Sequence, residues 1–203
     1  IHGNLDDMYR YCQKWEQKHG RVIAILQTGD MGVFHYQSQL DKATRKYSLK
    51  DPTELGCADY VSGFKEALYL TLFVRGNHED FDFLLTRRGK PIDPQGRIIY
   101  LDSAHVFEIK LESERIIRIT GLGGIKPPYL LKEKHIKHIG KKYFSDKEIE
   151  RLLNIEPFSI DILLTHDAPK LKDLGVGADE ITLIIEHLQP RLAFFGHYNK
   201  PPE

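Results

Sequence analysis

Apolar residues fall at intervals of three and four through Leu5, Met8, Cys12 and Trp15, the spacing of one helix face. Asn4 stands ahead of them as an N-cap, Asp6 and Asp7 occupy the first turn, and Gly20 closes the pattern, so an amphipathic helix is predicted over 4–18. Met8, Cys12 and Trp15 are expected on its core face. Residues 22–26 form an unbroken apolar run rich in β-branched side chains, which predicts a strand buried on both faces. The alternation then repeats as a helix over 58–68, a strand over 70–74, a short helix over 79–85 and a strand over 98–101. Strands over 106–111 and 116–119 flank the polar turn 112–114 and predict an antiparallel hairpin. Ser145, with Glu148 three residues on, forms a capping box ahead of a helix running to Leu153. A buried strand over 160–164, a helix over 178–188 and a last strand over 192–195 complete the pattern.

Strands alternating with helices predict an α/β fold, a layered, sandwich-like mixed β-sheet flanked by helices, with the hairpin as its antiparallel part. A chain of 203 residues is the size of one domain. The domain is read as spanning 1–203, beginning inside its first motif and so short of the N-terminal strand, with the C-terminal end also open. Two stretches resist assignment, the polar 34–55 and the lysine-rich 126–143, and either has the length of an inserted surface loop. The glycines of 121–124 lack the GxxxxGK[ST] arrangement of a phosphate-cradling loop and read as a turn leaving the hairpin.

Four polar clusters follow four apolar strands: Thr28-Gly29-Asp30, Gly76-Asn77-His78-Glu79, Thr165-His166-Asp167 and Gly196-His197. Open α/β sheets bind ligands outside the carboxyl ends of their strands, so these clusters are expected to converge on one edge. A fifth, His2-Gly3, precedes the first helix. His2, Asp30, Asn77, His166 and His197 together make an imidazole, carboxylate and amide set, suited to Mn, Fe or Zn rather than to calcium or a thiolate zinc site.

The order HG, GD, GNHE, a later H and then GH resembles the signature of the calcineurin-like metallophosphoesterases, and it covers nearly the whole chain. The resemblance implies two divalent transition-metal ions at strand C-terminal ends. His2, with an Asp two positions before it that precedes Ile1, would hold the first; Asn77, His166 and His197 would complete the second; Asp30 would bridge both. It further implies hydrolysis of a phosphomonoester or phosphodiester by a metal-bound hydroxide, with His78 facing the substrate as the proton donor. Glu79 and Asp80 are the nearby carboxylates that could orient His78. The sequence departs from the family where GHxH would end: it reads Gly196-His197-Tyr198-Asn199, so Asn199 is either a weak amide ligand of the first metal or an ordinary turn residue. It also lacks the GDxxDRG of the protein phosphatases, reading Gly29-Asp30-Met31-Gly32-Val33-Phe34, which argues against a Ser/Thr protein phosphatase. The Gly121–Gly124 stretch ahead of a Lys- and Tyr-bearing segment, with Leu164 to Pro169 later, is loosely similar to lariat-debranching enzymes, which cut RNA phosphodiesters. An RNA or DNA phosphodiesterase is therefore one alternative, and a metal-poor protein-binding scaffold on the same fold is another.

Composition narrows the partners. Lys plus Arg (29) equals Asp plus Glu (29), so no overall basic field draws in nucleic acid, and any such affinity must be local. The segment 126–142 carries Lys132 and Lys134 among its cations and reads either as a phosphate-steering, substrate-binding loop or as a solvated insertion. Two cysteines, Cys12 and Cys57, cannot build a disulfide framework and suit a reducing compartment, so a cytoplasmic protein is expected. No apolar run has the length of a spanning helix, so no membrane association is expected.

Overall fold

Among the described residues, seven strands form two sheets. In the computed structural model, which describes residues 1–34, 40, 42–50, 52–128, 140–171 and 175–198, β1 (Ile25–Gln27), β2 (Thr71–Phe73) and β3 (Ile98–Tyr100) make one parallel sheet in that order. The second sheet runs β4 (Phe107–Lys110), β5 (Ile116–Leu122), β6 (Ile162–Thr165) and β7 (Leu192–Phe194), antiparallel between β4 and β5 and parallel thereafter. The mixed layered architecture and the hairpin agree with the sequence pattern, although that pattern gave no sign that the strands divide into two sheets.

Alternate residues of each strand face opposite ways, and this builds three apolar layers. Leu72, Val74, Ile99 and Leu101 of the first sheet meet Ile119 and Leu164 of the second, forming the sandwich interior. On the outer side of the first sheet, Phe73, Ile98 and Tyr100 pack against α1 (Leu5–His19) through Leu5 and Tyr9, and against α3 (Cys57–Val61) through Cys57, Tyr60 and Val61. Outside the second sheet, Leu122 and Leu163 pack against α5 (Asp146–Leu153) and α6 (Asp179–Leu188). Two further helices are α2 (Lys42–Ser48), within the stretch that resisted assignment, and α4 (Phe81–Leu85).

Capping explains the helix starts that the sequence marks. The Asn4 side chain accepts the Asp7 amide at 3.2 Å, and Ser145 and Glu148 form a reciprocal capping box. Several expectations need correction. Trp15 is 47% exposed and stacks on His19, and Met8 and Cys12 are only partly buried. Leu5 and Tyr9 are the buried contacts of α1. Fifteen residues of helix span about 22 Å, against about 10 Å for a three-residue strand, so the last turns overhang the core. The predicted 58–68 helix stops at Val61, before Ser62 and a left-handed Gly63 turn the chain. Strand β1 begins only at Ile25, because the Val22 amide is bound by the Glu16 carboxylate, and as an edge strand it is half-buried. Strand β7, another edge, is exposed.

The glycines of 121–124 do not simply leave the hairpin. Gly121 lies within β5, and a side chain there would meet Val74 Cγ1 at 2.4 Å across the sandwich. Glycine lets the two sheets approach at this point.

Candidate metal centre and active site

Each polar cluster sits where its strand runs out, and both sheets open these ends on the same edge. The first loop is laid against the β1 loop by backbone bonds, His2 N–H to Asp30 O and Gly3 N–H to Met31 O, both 2.9 Å. Asp30 is the hub. It is buried, and its Oδ1 accepts the amides of Asn77 at 2.9 Å and His78 at 3.0 Å, which locks the carboxylate to the end of β2. A Cβ on Gly76 would lie 2.0 Å from that Oδ1, so only glycine permits the approach. His2, Asp30 and His197 all have left-handed backbones, with φ of 47°, 50° and 67°. Non-glycine residues adopt this region uncommonly, and such strain concentrates at functional sites.

The other oxygen, Oδ2, faces His166 Nε2 at 3.6 Å and His2 Nε2 at 3.9 Å. His166 is buried, and its Nδ1 lies 2.7 Å from the Thr28 carbonyl. A carbonyl only accepts, so the Nδ1 proton is spoken for and a neutral ring turns the Nε2 lone pair inward. Burial lowers the His166 pKa, against the upward pull of the Asp30 charge, and so favours the neutral ring. Nε2 then sits 2.9 Å from the inward-facing Oδ1 of Asn77. A nitrogen lone pair, an amide oxygen and a carboxylate oxygen thus converge, which is the donor set a divalent cation satisfies. Asp30, His166 and the exposed His197 each bring a ligand atom within 4.8 Å of the others, and the His166 and His197 rings lie 5.1 Å apart. The His78 ring is 6.2 Å from that of His2.

The structure therefore brings together His2, Asp30, Asn77, His78, His166 and His197. Asn199, Lys132 and Lys134 lie outside the described residues. The two carboxylates considered as partners for His78 have other duties. Glu79 is buried and accepts the amides of Met31 at 2.8 Å and Val33 at 2.7 Å, tying the GNHE loop to the GD loop. Burial and then the charge of Asp30 push its carboxyl up to about 8. Asp80 caps α4, accepting the Phe83 amide at 3.1 Å.

Sequence reasoning missed two supports of the site. Arg75, just before the GNHE loop, is buried and makes a two-pronged ion pair with Glu148, at 2.7 and 3.2 Å. It also donates to the carbonyls of Lys141 and Tyr143, both at 3.0 Å. Asp167 accepts the Tyr198 hydroxyl and the Ala168 amide, both at 2.9 Å, and so binds the loop after β6 to the loop bearing His197. Asp167 had a visible signal, a carboxylate directly after a candidate ligand, whereas Arg75 had none.

A fold with two layered sheets and five ordered motifs at their outlets defines a phosphoester-hydrolase class, and the comparisons agree. Residues 1–201 match the model of the calcineurin-like phosphoesterases, and the chain belongs to that family. Among curated proteins it is similar to the lariat debranching enzyme of Entamoeba histolytica, 29% identical over 180 residues that cover 84% of this chain and 48% of that protein. It is also similar to the lariat debranching enzymes of Arabidopsis thaliana, 27% identical over 97% of this chain and 52% of that protein, and of Homo sapiens, 26% identical over 97% and 40%. The chain thus spans about half the length of the first two of these relatives. Among the described residues no helix is long and apolar enough to cross a membrane.

Proposed function

We propose that this chain hydrolyses phosphodiesters, with RNA as the substrate class, at a two-metal site centred on Asp30. The observation that carries the reading is the approach of His2 and His166 to one Asp30 oxygen while the other is held by the Asn77 and His78 amides. Asp30, Asn77, His166 and His197 would hold one cation, and His2 with Asp30 the other. Mn, Fe and Zn suit these donors. When bound, such ions supply Lewis acidity at phosphorus and make a water acidic enough to attack at neutral pH. The chain's own residues do the rest. His78, anchored through its amide to Asp30, protonates the departing alkoxide, and the neutral His166 ring, fixed by Thr28, keeps its lone pair available as a ligand. RNA is taken as the substrate class because the similar curated proteins are lariat debranching enzymes. Both cysteines are free, which fits a reducing compartment such as the cytoplasm, and burial raises the thiol pKa of Cys57 far above its usual value and makes it unreactive.

The deciding assay supplies Mn²⁺ and compares an aryl phosphomonoester, the matching diester and an RNA lariat. Faster turnover of the diesters is expected; a monoester preference would make the protein a phosphatase instead. No turnover with Mn²⁺, Fe²⁺ or Zn²⁺ would favour the scaffold reading. In His78→Ala, kcat should fall by roughly 10²- to 10⁴-fold with metal content intact. Loss of bound metal in that variant would make His78 a ligand rather than an acid. His166→Ala should behave oppositely: elemental analysis after dialysis should find metal depleted, and retention of the wild-type content would remove His166 from the centre.

A further inference from the structure

A second cleft, of about 750 Å³, lies between α4 and α5 at the outlet of β3. Its floor holds Arg75, Tyr100, Asp102 and Glu148. The Arg75 guanidinium is committed to Glu148 and two carbonyls, and Lys141 pairs with Asp82. Among the described lining that leaves Arg88, Lys147 and Arg151 facing Asp102 and Glu150.

Arg88, just past α4, and Arg151, on α5, both approach the same oxygen of Asp102, each at 3.8 Å. That is beyond hydrogen-bond length, whereas the surface pair Arg118–Glu108 closes to 2.8 Å. One buried carboxylate, itself accepting the Tyr100 hydroxyl at 3.3 Å, therefore attracts two half-exposed guanidinium groups from opposite walls without a hydrogen bond to either among the described residues. Paired guanidinium forks are the chemistry that recognises a phosphate. Phe81 and Tyr143 also line the cleft, and the Lys142 ammonium lies 5.0 Å from the centre of the Tyr143 ring. Phe81 begins α4 three residues after His78, so the cleft adjoins the loop that carries the proton donor.

We infer that this cleft is a subsite for single-stranded RNA, with Arg88 and Arg151 gripping a backbone phosphate of the strand that flanks the scissile bond. The inference rests on the phosphodiesterase reading, but its test does not need turnover. Binding of a fluorescent ten-nucleotide single-stranded RNA is measured by anisotropy in EDTA, over a range of salt. Arg88→Gln with Arg151→Gln should weaken binding about tenfold and flatten the slope of log K against log salt by about 0.7, the share of one phosphate. Asp102→Asn should do the reverse and tighten binding, since it removes the competing anion. Because the double variant leaves Asp102 buried without its cations, the triple variant with Asp102→Asn serves as the folding control and should show the same loss of affinity relative to Asp102→Asn alone. An unchanged salt slope in both the double and triple variants, or weaker binding by Asp102→Asn, would overturn the assignment. Equal affinity for a phosphoserine peptide of matched charge would overturn it too, making the cleft a protein-docking site. Should the RNA bind as expected while no diester is hydrolysed with any metal, the subsite stands and the catalytic reading falls.

Discussion

Asp30→Asn is expected to lower turnover by at least ~10²-fold, about 2.7 kcal/mol of transition-state stabilisation, while leaving the protein folded. The two halves of this expectation have separate causes. An asparagine can keep its oxygen toward the amides of Asn77 and His78, preserving both bonds that lock the β1 outlet to the β2 outlet. Its NH₂ group would then face the Nε2 atoms of His166 and His2, and the anion proposed to serve both cations would be gone. The fold is thereby satisfied and the ligand set is not. Steady-state kinetics with Mn²⁺, alongside circular dichroism, decides the matter. Retention of more than about a tenth of the activity, a loss under ~1.4 kcal/mol, would show that Asp30 does not bridge.

Arg75→Met should produce the largest loss of stability, about 3–5 kcal/mol, because it strands the Glu148 carboxylate in a site where both side chains are nearly inaccessible. For Glu148, burial acts to raise the pKa, and the Arg75 charge overcomes it to hold the carboxyl below its usual range. In a domain of this size each kcal/mol moves Tm by about 2–4 °C, so a fall of roughly 6–20 °C is expected in a thermal scan. Replacing both partners, Arg75→Met with Glu148→Leu, should recover much of that loss, since an apolar pair leaves no charge behind. A drop of under about 1 kcal/mol in the single variant would mean that water reaches Glu148, contrary to the burial described here.

What could be read from the sequence, and what could not, follows from how far apart the interacting residues lie. Buried parallel strands show as continuous apolar runs, so β2, β3 and β6 were visible, and the polar clusters that follow β2 and β6 were visible because each is local to its strand. Helix α1 was visible through Asn4 and Gly20. The division into two sheets was not, since Leu72 and Ile99 meet Ile119 and Leu164 through packing that no local pattern encodes. Arg75 was equally hidden. Its partner stands 73 residues on and its other acceptors are main-chain carbonyls, which every residue possesses. Trp15 misled for a simpler reason, because periodicity reports a face but not where the supporting sheet ends.

The bond from His166 to the Thr28 carbonyl also ties the halves of the fold together, because those two residues directly follow β6 and β1, strands of different sheets. The site is a seam. An ion gripped there would fasten one half of the sandwich to the other, acting as a removable rivet whose strength is set by metal concentration: about 2.7 kcal/mol at a hundred times the dissociation constant. Sliding of the sheets past each other would pull His166 and His197 away from Asp30, so a core substitution far from the edge, at Leu164 or Val74 for instance, would be felt as weakened metal affinity before it was felt as unfolding.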